Sequence, residues 1–199
     1  MFPFAISLFI PWIYTLASYI DYIGNRTKYI ESPYLPQAFD QIVQNVFIWL
    51  PISIYGLLTF YPAEISIQPW YIELTMLSFE FTVAEVWFYT IHRICHHKWF
   101  YFIHKKHHEV IHPIGILALY SHPLEALIVN NGSFYITHML FTHSQFHVTA
   151  IIAMGIMNTV LYSHSIQRRH YAHHKVHKYN YGHSLFMDKI FGTDLVKNK

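Results

Sequence analysis

The sequence predicts an all-α integral membrane protein with four to five membrane helices arranged in hairpins and a helical cap on the cytosolic side. Two observations support this fold class. First, the 199-residue chain is 53% hydrophobic but only 12% charged, whereas an average soluble protein has about 25% charged residues. Second, the apolar residues are gathered in blocks close to the ~20 residues that a helix needs to cross a bilayer. The net charge of +2 gives no reason to expect a nucleic-acid partner.

The apolar blocks occur five times along the chain. Residues 2–20 carry no charge, and we interpret them as a first membrane segment, or as a re-entrant one because Pro3 and Pro11 interrupt a helix. A cleaved signal peptide is disfavoured because no basic residue precedes this block. The remaining four blocks are residues 43–61, 71–91, 124–142 and 146–162.

The basic residues predict the orientation of these spans. All 13 Lys and Arg residues lie in three regions, residues 26–28, 93–106 and 168–199. If the spans follow the order given, these regions lie on one side of the membrane, and the positive-inside rule makes that side cytosolic. We expect a single domain with two regions, membrane spans in 1–83 and a chemistry-bearing region in 84–199.

Histidine is the most abundant ionisable residue, with 17 copies against 13 Lys plus Arg and 11 Asp plus Glu. Helical positions i and i+4 differ by about 40°, and i and i+3 by about 60° in the other direction. Three groups have this spacing, and each is expected to direct its imidazoles into one sector at the cytosolic mouth of the spans. They are His92 with His96, then His104, His107 and His108, and finally His170, His173 and His174.

Eight imidazoles exceed the four ligands that one zinc ion usually takes, so the sequence predicts a dimetal site with about four nitrogens for each ion. Imidazole suits zinc, copper, iron and nickel alike, and the spacing does not choose among them. A carboxylate-bridged di-iron bundle needs Glu-x-x-His pairs on two helices. The three groups contain no such pair, and only Glu109 lies beside a group. The alternative without a metal is a pH-sensitive or merely basic juxtamembrane surface.

Other polar residues have more ordinary interpretations. The single cysteine, Cys95, excludes an intramolecular disulfide and a cysteine-based metal centre, and it is expected to be a small buried hydrophobe. Carboxylates within the third block are expected to face a cavity or a neighbouring helix; they include Glu80 and Glu85. Carboxylates near the histidine groups could orient imidazoles or form caps and surface pairs; they are Glu109, Glu125 and Asp188. Isolated histidines are expected to be hydrogen-bonded or interfacial residues; they are His112, His138, His143 and His147.

Three stretches of sequence resemble a known family: HRICHH, HKKHHEVIHPIGILALYSHPLE and RRHYAHHKVHKYNYGHSLFMDKIFGTD. From about Phe88 to Asp194 the chain is similar to the fatty acid hydroxylase/sterol desaturase superfamily of membrane di-iron oxidases. Within that superfamily the pattern is most similar to the C-4 methylsterol oxidases, mainly through the segment PIGILALYSHPLE.

The resemblance implies a multi-pass enzyme of the endoplasmic reticulum membrane, with two Fe ions bound by histidine on the cytosolic face. It implies O2 as co-substrate, electrons from NAD(P)H through cytochrome b5 or its reductase, and oxidation of a sterol C–H bond, a C-4 methyl group being favoured. The eight grouped histidines match the three histidine boxes of the family. His122 and His164 match further family histidines that could complete a coordination sphere.

Several alternatives stay open at this point. Within the superfamily these are a fatty-acid or sphingolipid hydroxylase and a sterol desaturase. Outside it are a zinc hydrolase, which would need a glutamate base beside a helical histidine pair, and a metal transporter, which would need ligands at mid-membrane. Zinc could also occupy the site in place of iron. The basic cytosolic residues would suit either cytochrome b5 or anionic lipid headgroups; they are Arg93, Lys98, Lys105, Lys106, Arg168, Arg169, Lys175 and Lys178.

Overall fold

The computed structural model describes residues 2–62, 69–111, 114–140 and 168–195. Every regular element within these ranges is helical, which confirms the all-α class for the described part of the chain. The predicted fifth block, residues 146–162, lies outside the described residues, as does the end of the fourth.

The N-terminal region consists of helices α1 (Phe2–Gly24), α2 (Arg26–Ile30), α3 (Leu35–Gln44) and α4 (Leu50–Phe60). Helix α1 continues through Pro11, so the described backbone is one helix and not a re-entrant pair. A π-helical turn, Asn45–Trp49, joins α3 to α4. Pro51, which has no N–H and crowds the preceding turn, is the second residue after it, and a wider turn accommodates such a break in the α-helical ladder.

The continuous helix of residues 35–60 is the one helix among the described residues that is long and apolar enough to cross a membrane, with a mean hydropathy of 1.5. It packs against α1 through a core that includes Ile10, Tyr14, Ile42 and Ile54. The outward face of α1 is apolar and exposed, with Phe9 and Trp12 among its residues. Four to five spans stay a prediction.

Helix α5 (Trp70–Cys95) is 26 residues long and carries the first histidine group at its C-terminal end. It packs against α8 (Gly132–Leu140). The approach is close at Gly132, where a Cβ atom would lie 2.6 Å from Nε1 of Trp87. That indole N–H donates to the carbonyl of Ile128 at 2.9 Å, which fixes α5 against the turn before α8.

Short elements connect α5 to α8. They are α6 (Tyr101–His104), the 3-10 turns His107–Glu109 and Gly115–Leu119, α7 (Pro123–Glu125) and a second π-helical turn, Ala126–Asn130. The second histidine group therefore lies on two different short turns.

The C-terminal region contains α9 (Arg168–Val176) and α10 (Leu185–Ile190). The loop between them is held by two carboxylates. Asp188 accepts hydrogen bonds from the backbone N–H groups of Tyr181 and Gly182, both at 2.9 Å. Glu85 of α5 accepts from the N–H groups of His183 and Ser184 at 3.1 and 3.0 Å. These contacts place the loop beside the C-terminal half of α5, where the first histidine group begins.

Candidate metal centre

The structure brings all eight grouped histidines together in two clusters. Within each cluster, one nitrogen from every imidazole lies within 4.8 Å of the others. The five-histidine cluster contains His92, His96, His104, His108 and His173, and the three-histidine cluster contains His107, His170 and His174.

Each sequence group contributes differently to these clusters. His92 and His96 point the same way from α5, as their i, i+4 spacing predicts. The second and third groups each divide between the two clusters, although the rings of His104 and His107 remain 5.4 Å apart and tilted by 30°. In the second, α6 ends at His104 and a 3-10 turn begins at His107; His108 stays in the cluster of His104, while His107 joins the other cluster. In the third, the i, i+4 pair of α9 enters the three-histidine cluster, while His173 turns to the five-histidine cluster. The division is five and three rather than four and four.

In five of the imidazoles, Nδ1 lies against an acceptor fixed by the surrounding fold. Carbonyl and carboxylate oxygens only accept hydrogen bonds, so Nδ1 carries the proton in each case and Nε2 keeps its lone pair. The Nδ1 acceptors are the Tyr181 carbonyl for His92 at 2.6 Å, Oε1 of Glu125 for His104 at 2.8 Å, the Tyr120 carbonyl for His107 at 3.3 Å, the Tyr179 carbonyl for His173 at 2.6 Å and the Val110 carbonyl for His174 at 2.9 Å.

The Nε2 atoms converge on one another. The separations are 2.9 Å between His92 and His104, 2.9 Å between His104 and His108, 3.2 Å between His96 and His108, 3.0 Å between His96 and His173, and 3.3 Å between His170 and His174. In the His92–His104 pair both Nδ1 atoms carry the proton, so two Nε2 lone pairs face each other at 2.9 Å, and they repel unless a cation lies between them. Metal–nitrogen bonds of about 2.0–2.1 Å with ligands roughly 90–110° apart give nitrogen separations of about 2.9–3.4 Å. The donor set therefore fits a pair of metal ions.

The buried imidazoles are neutral at physiological pH. Burial, followed by repulsion from neighbouring imidazoles, lowers the pKa of His96 to about 3, and burial lowers that of His107 to about 4. The same causes hold the pKa values of His92 and His104 far below 6.5. Neutral imidazole is the form that binds metal. A surface that senses pH near neutrality is disfavoured, because such a surface needs histidines that titrate there.

Three carboxylates near the clusters have distinct roles. Glu125 is 2% exposed and contacts His104 directly, as a carboxylate that orients an imidazole does. Asp188 acts one step away, because it holds the N–H of Tyr181, whose carbonyl accepts from His92. Glu109 contacts no histidine of either cluster through a described hydrogen bond; its Oε2 accepts from the hydroxyl of Tyr120 at 2.9 Å.

The stretch from His108 to His112 reads HEVIH and matches the HExxH pattern of zinc hydrolases, which requires both histidines on one helix face. Here the helical turn ends at Glu109, and Val110 is extended with φ −91° and ψ 101°. The described backbone therefore does not form the helical pair on which that chemistry depends.

The remaining candidate residues lie elsewhere. His122 is outside both clusters, and its Nδ1 accepts the N–H of Leu124 at 3.2 Å as the N-cap of α7. His138 donates to the Tyr61 carbonyl at 2.6 Å, as expected for an isolated histidine. Cys95 is buried beside Phe88 and Val129. His112, His143, His147 and His164 lie outside the described residues.

Sequence reasoning missed the carbonyl acceptors and one neighbouring histidine. Main-chain acceptors leave no mark in residue identity; two of them, the carbonyls of Tyr179 and Tyr181, lie in the loop after α9. The ring of His177 lies 4.2 Å from that of His108. Its backbone is left-handed, with φ 56°, and no helical spacing rule predicts such a position.

Comparisons with known proteins agree with this geometry. A family model described as fatty acid hydroxylase matches residues 77–193, which contain both clusters. Methylsterol monooxygenase 1 of Gallus gallus is 30% identical over 87% of this chain and 68% of its own length. The protein of the same name from Rattus norvegicus is 31% identical over 63% of this chain and 48% of its own length. Fatty acid hydroxylase domain-containing protein 2 of Homo sapiens is 29% identical over 56% of this chain and 36% of its own length.

No solved structure matches the chain. The aligned region covers about half of the rat and Dictyostelium discoideum relatives, 48% and 52% of their lengths. The family model matches more than half of this chain, and the matched residues include every histidine of the two clusters. The chain therefore belongs to the fatty acid hydroxylase family.

Proposed function

We propose that the chain is a membrane-bound di-iron oxygenase that uses O2 to oxidise a C–H bond of a sterol or another lipid. The observation that carries this proposal is the convergence of Nε2 atoms 2.9–3.3 Å apart. In each of these three pairs at least one imidazole has its Nδ1 bound by the fold, and in the His92–His104 pair both do. Family membership favours iron among the metals that imidazole suits.

Each of the two clusters would bind one ion of the metal pair. Five histidines would hold one ion, and His107, His170 and His174 would hold the other, which leaves positions open for ligands that the protein does not supply. Bound iron would supply the reduction of O2 and the attack on an unactivated C–H bond, which side-chain acid–base chemistry does not achieve. The protein keeps the imidazoles neutral, directs each Nε2 inward and excludes bulk water by burying the clusters.

Exposed apolar side chains support the proposed membrane setting. Phe9, Trp12 and Leu16 of α1 are 62%, 63% and 59% exposed, and Ile52 of α4 is 58% exposed. Such a large apolar surface is typical of contact with lipid. We place the chain in the endoplasmic reticulum membrane with four to five spans and the metal site on the cytosolic face, where the basic residues lie. A lipid substrate would then reach the clusters from the bilayer.

We assign electron delivery to NAD(P)H through cytochrome b5 or its reductase. The cytosolic residues Lys98, Lys105 and Lys178 are exposed and suit an acidic partner. Arg169 and Lys106 are engaged within the chain, with Asp194 at 3.0 Å and Gln41 at 2.8 Å respectively. The docking charge therefore comes mainly from the exposed lysines.

A methyl group at C-4 of a sterol is the favoured target, because the chicken, rat and zebrafish relatives carry the name methylsterol monooxygenase 1. A fatty-acid or sphingolipid hydroxylase is the second candidate. Its support is the fatty acid hydroxylase ahd1 of Mycosarcoma maydis, which is 31% identical over 56% of this chain.

Expression in yeast that lacks its C-4 methylsterol oxidase, followed by sterol profiling, tests the proposal. We expect 4,4-dimethylsterols to fall with the wild-type chain and to stay high with His173→Ala. His97→Ala is the matched control, because His97 is exposed and outside both clusters. Unchanged 4,4-dimethylsterols beside a working positive control would exclude the sterol substrate. Full activity of His173→Ala would exclude the shared metal site. Lipid profiling of the same cells would identify a hydroxylated acyl chain instead.

A further inference from the structure

The helix of residues 35–60 contributes a buried polar side chain, Asn45, to the region around the three-histidine cluster. Its Nδ2 donates to the carbonyls of Leu119 and Ser121, at 2.9 and 3.1 Å. Asn45 is 5% exposed and Ser121 is fully buried. A buried amide that satisfies two carbonyls more than 70 residues away in sequence is a specific contact and not a surface one.

The two carbonyls flank Tyr120, whose own carbonyl accepts the Nδ1–H of His107 at 3.3 Å. Peptide groups are planar and rigid, so fixing the carbonyls on either side of Tyr120 restricts the direction of the carbonyl between them. Asn45 thereby acts on the orientation of His107 without touching it.

The same helix holds His107 from a second direction. Gln41, one turn before Asn45, donates from Nε2 to Oδ1 of Asn45 at 3.2 Å and accepts from Nζ of Lys106 at 2.8 Å. Lys106 directly precedes His107 in the chain, and its Nζ lies 5.2 Å from the centre of the Tyr120 ring. The helix therefore contacts both the residue before His107 and the segment that supplies its acceptor.

The backbone at Asn45 is itself unusual. The π-helical turn begins at this residue, and the N–H of Leu50 donates to the Asn45 carbonyl. Turns of this kind interrupt the regular α-helical hydrogen bonds and occur often at functional sites. Both Asn45 and Gln41 lie before residue 77, where the match to the family model begins.

We propose that Asn45 is a positioning residue for the three-histidine cluster. It fixes the carbonyl that directs Nε2 of His107 towards its metal, so the N-terminal region completes a site whose ligands all lie in the C-terminal region. This inference rests on the proposed function, since it takes the cluster to be a metal site.

Titration of the purified full-length protein with Co²⁺ tests the proposal, with bound metal per chain and the visible absorption of the bound ion as readouts. We expect the wild type to bind two equivalents. In Asn45→Ala we expect the second equivalent to bind about 10- to 100-fold more weakly, as when a group that orients a ligand is removed, and the first to bind as before. Gln44→Ala is the matched control, because Gln44 is the exposed neighbour of Asn45, and it should titrate like the wild type.

A double variant separates positioning from general support of the fold. With His107→Ala already present, adding Asn45→Ala should not weaken the second equivalent further, because both changes act on the same ligand. Two equivalents with wild-type affinity in Asn45→Ala would overturn the proposal, as would equal weakening of both equivalents. If Asn45→Ala does not fold, Gln41→Ala replaces it, with a smaller selective weakening expected and wild-type titration as the contradicting result. Wild-type protein that binds no Co²⁺ would instead contradict the proposed function itself.

Discussion

Replacing Gly182 by alanine tests the packing between the C-terminal loop and α5. A Cβ atom at this position would lie 2.5 Å from Oε1 of Glu85, 2.9 Å from the carbonyl of Ser184 and 3.1 Å from Oδ2 of Asp188. Ordinary contact requires at least 3.4 Å, so the Glu85 carboxylate has to retreat by close to an ångström. That movement strains its bonds to the N–H groups of His183 and Ser184.

Overpacking of this kind costs roughly 1–3 kcal/mol. For a chain of this size each kcal/mol lowers Tm by about 2–4 °C, so we expect Gly182→Ala to lower Tm by about 4–8 °C in detergent-solubilised protein, for a cost near the middle of that range. Gly56→Ala is the matched control. Gly56 lies inside α4 with nothing within 4 Å of its Cβ position, and alanine there should raise stability by up to ~1 kcal/mol. A Tm for Gly182→Ala equal to or above that of the wild type would refute the packing argument. If the Glu85 carboxylate is the group that has to move, shortening it with Glu85→Asp should reduce the loss of Tm caused by Gly182→Ala.

Three further predictions concern the metal clusters. Glu125→Gln replaces the carboxyl group that binds Nδ1 of His104 by a weaker amide acceptor and should weaken one metal equivalent about 10- to 100-fold in a competition titration. Glu109→Gln, which changes a contact to Tyr120 only, should leave both equivalents unchanged. Acid should destabilise the metal-free protein. Folding lowers the pKa of His96 to about 3 and that of His107 to about 4, whereas the unfolded chain binds these protons near pH 6.5. The free energy of unfolding should therefore be highest above about pH 6.5 and fall towards pH 3–4. A flat stability profile from pH 7 to 4 would contradict this assignment. Removing metal with a chelator should lower Tm, because a ligand at 100 times its Kd adds about 2.7 kcal/mol, and a Tm unaffected by chelation would argue against bound metal in the purified protein.

The eight histidines of the clusters could be selected from sequence because most of them share helical spacing. His92 and His96 on α5, and His170 and His174 on α9, end on the same cluster as their i, i+4 partners, and the backbone is helical at both places. The partition between clusters could not be predicted in the same way. His107 and His173, each three residues after the first member of its group, enter the cluster that does not hold that group's i, i+4 pair, and local spacing does not specify which cluster the tertiary packing gives them.

Long-range polar contacts could not be predicted from the sequence either. Asn45 reads as one polar residue at the start of an apolar block, and only the fold brings it to Leu119 and Ser121. Pro11 illustrates the opposite case, since it suggested a break in the first block, yet α1 runs through it. Proline lacks the N–H that would bind the carbonyl four residues earlier, here that of Ser7. A helix in an apolar segment tolerates this loss when another group satisfies the freed carbonyl.

The Nδ1 acceptors differ in how they respond to mutation. Four of the five are main-chain carbonyls, and no amino-acid substitution deletes a carbonyl. The fifth acceptor is the side chain of Glu125, which a single substitution can shorten, neutralise or remove. Inherited variation can therefore adjust the electron density on one imidazole of the five-histidine cluster while four other orientations persist. His104 is the position at which the redox behaviour of a bound metal would be easiest to change without dismantling the site.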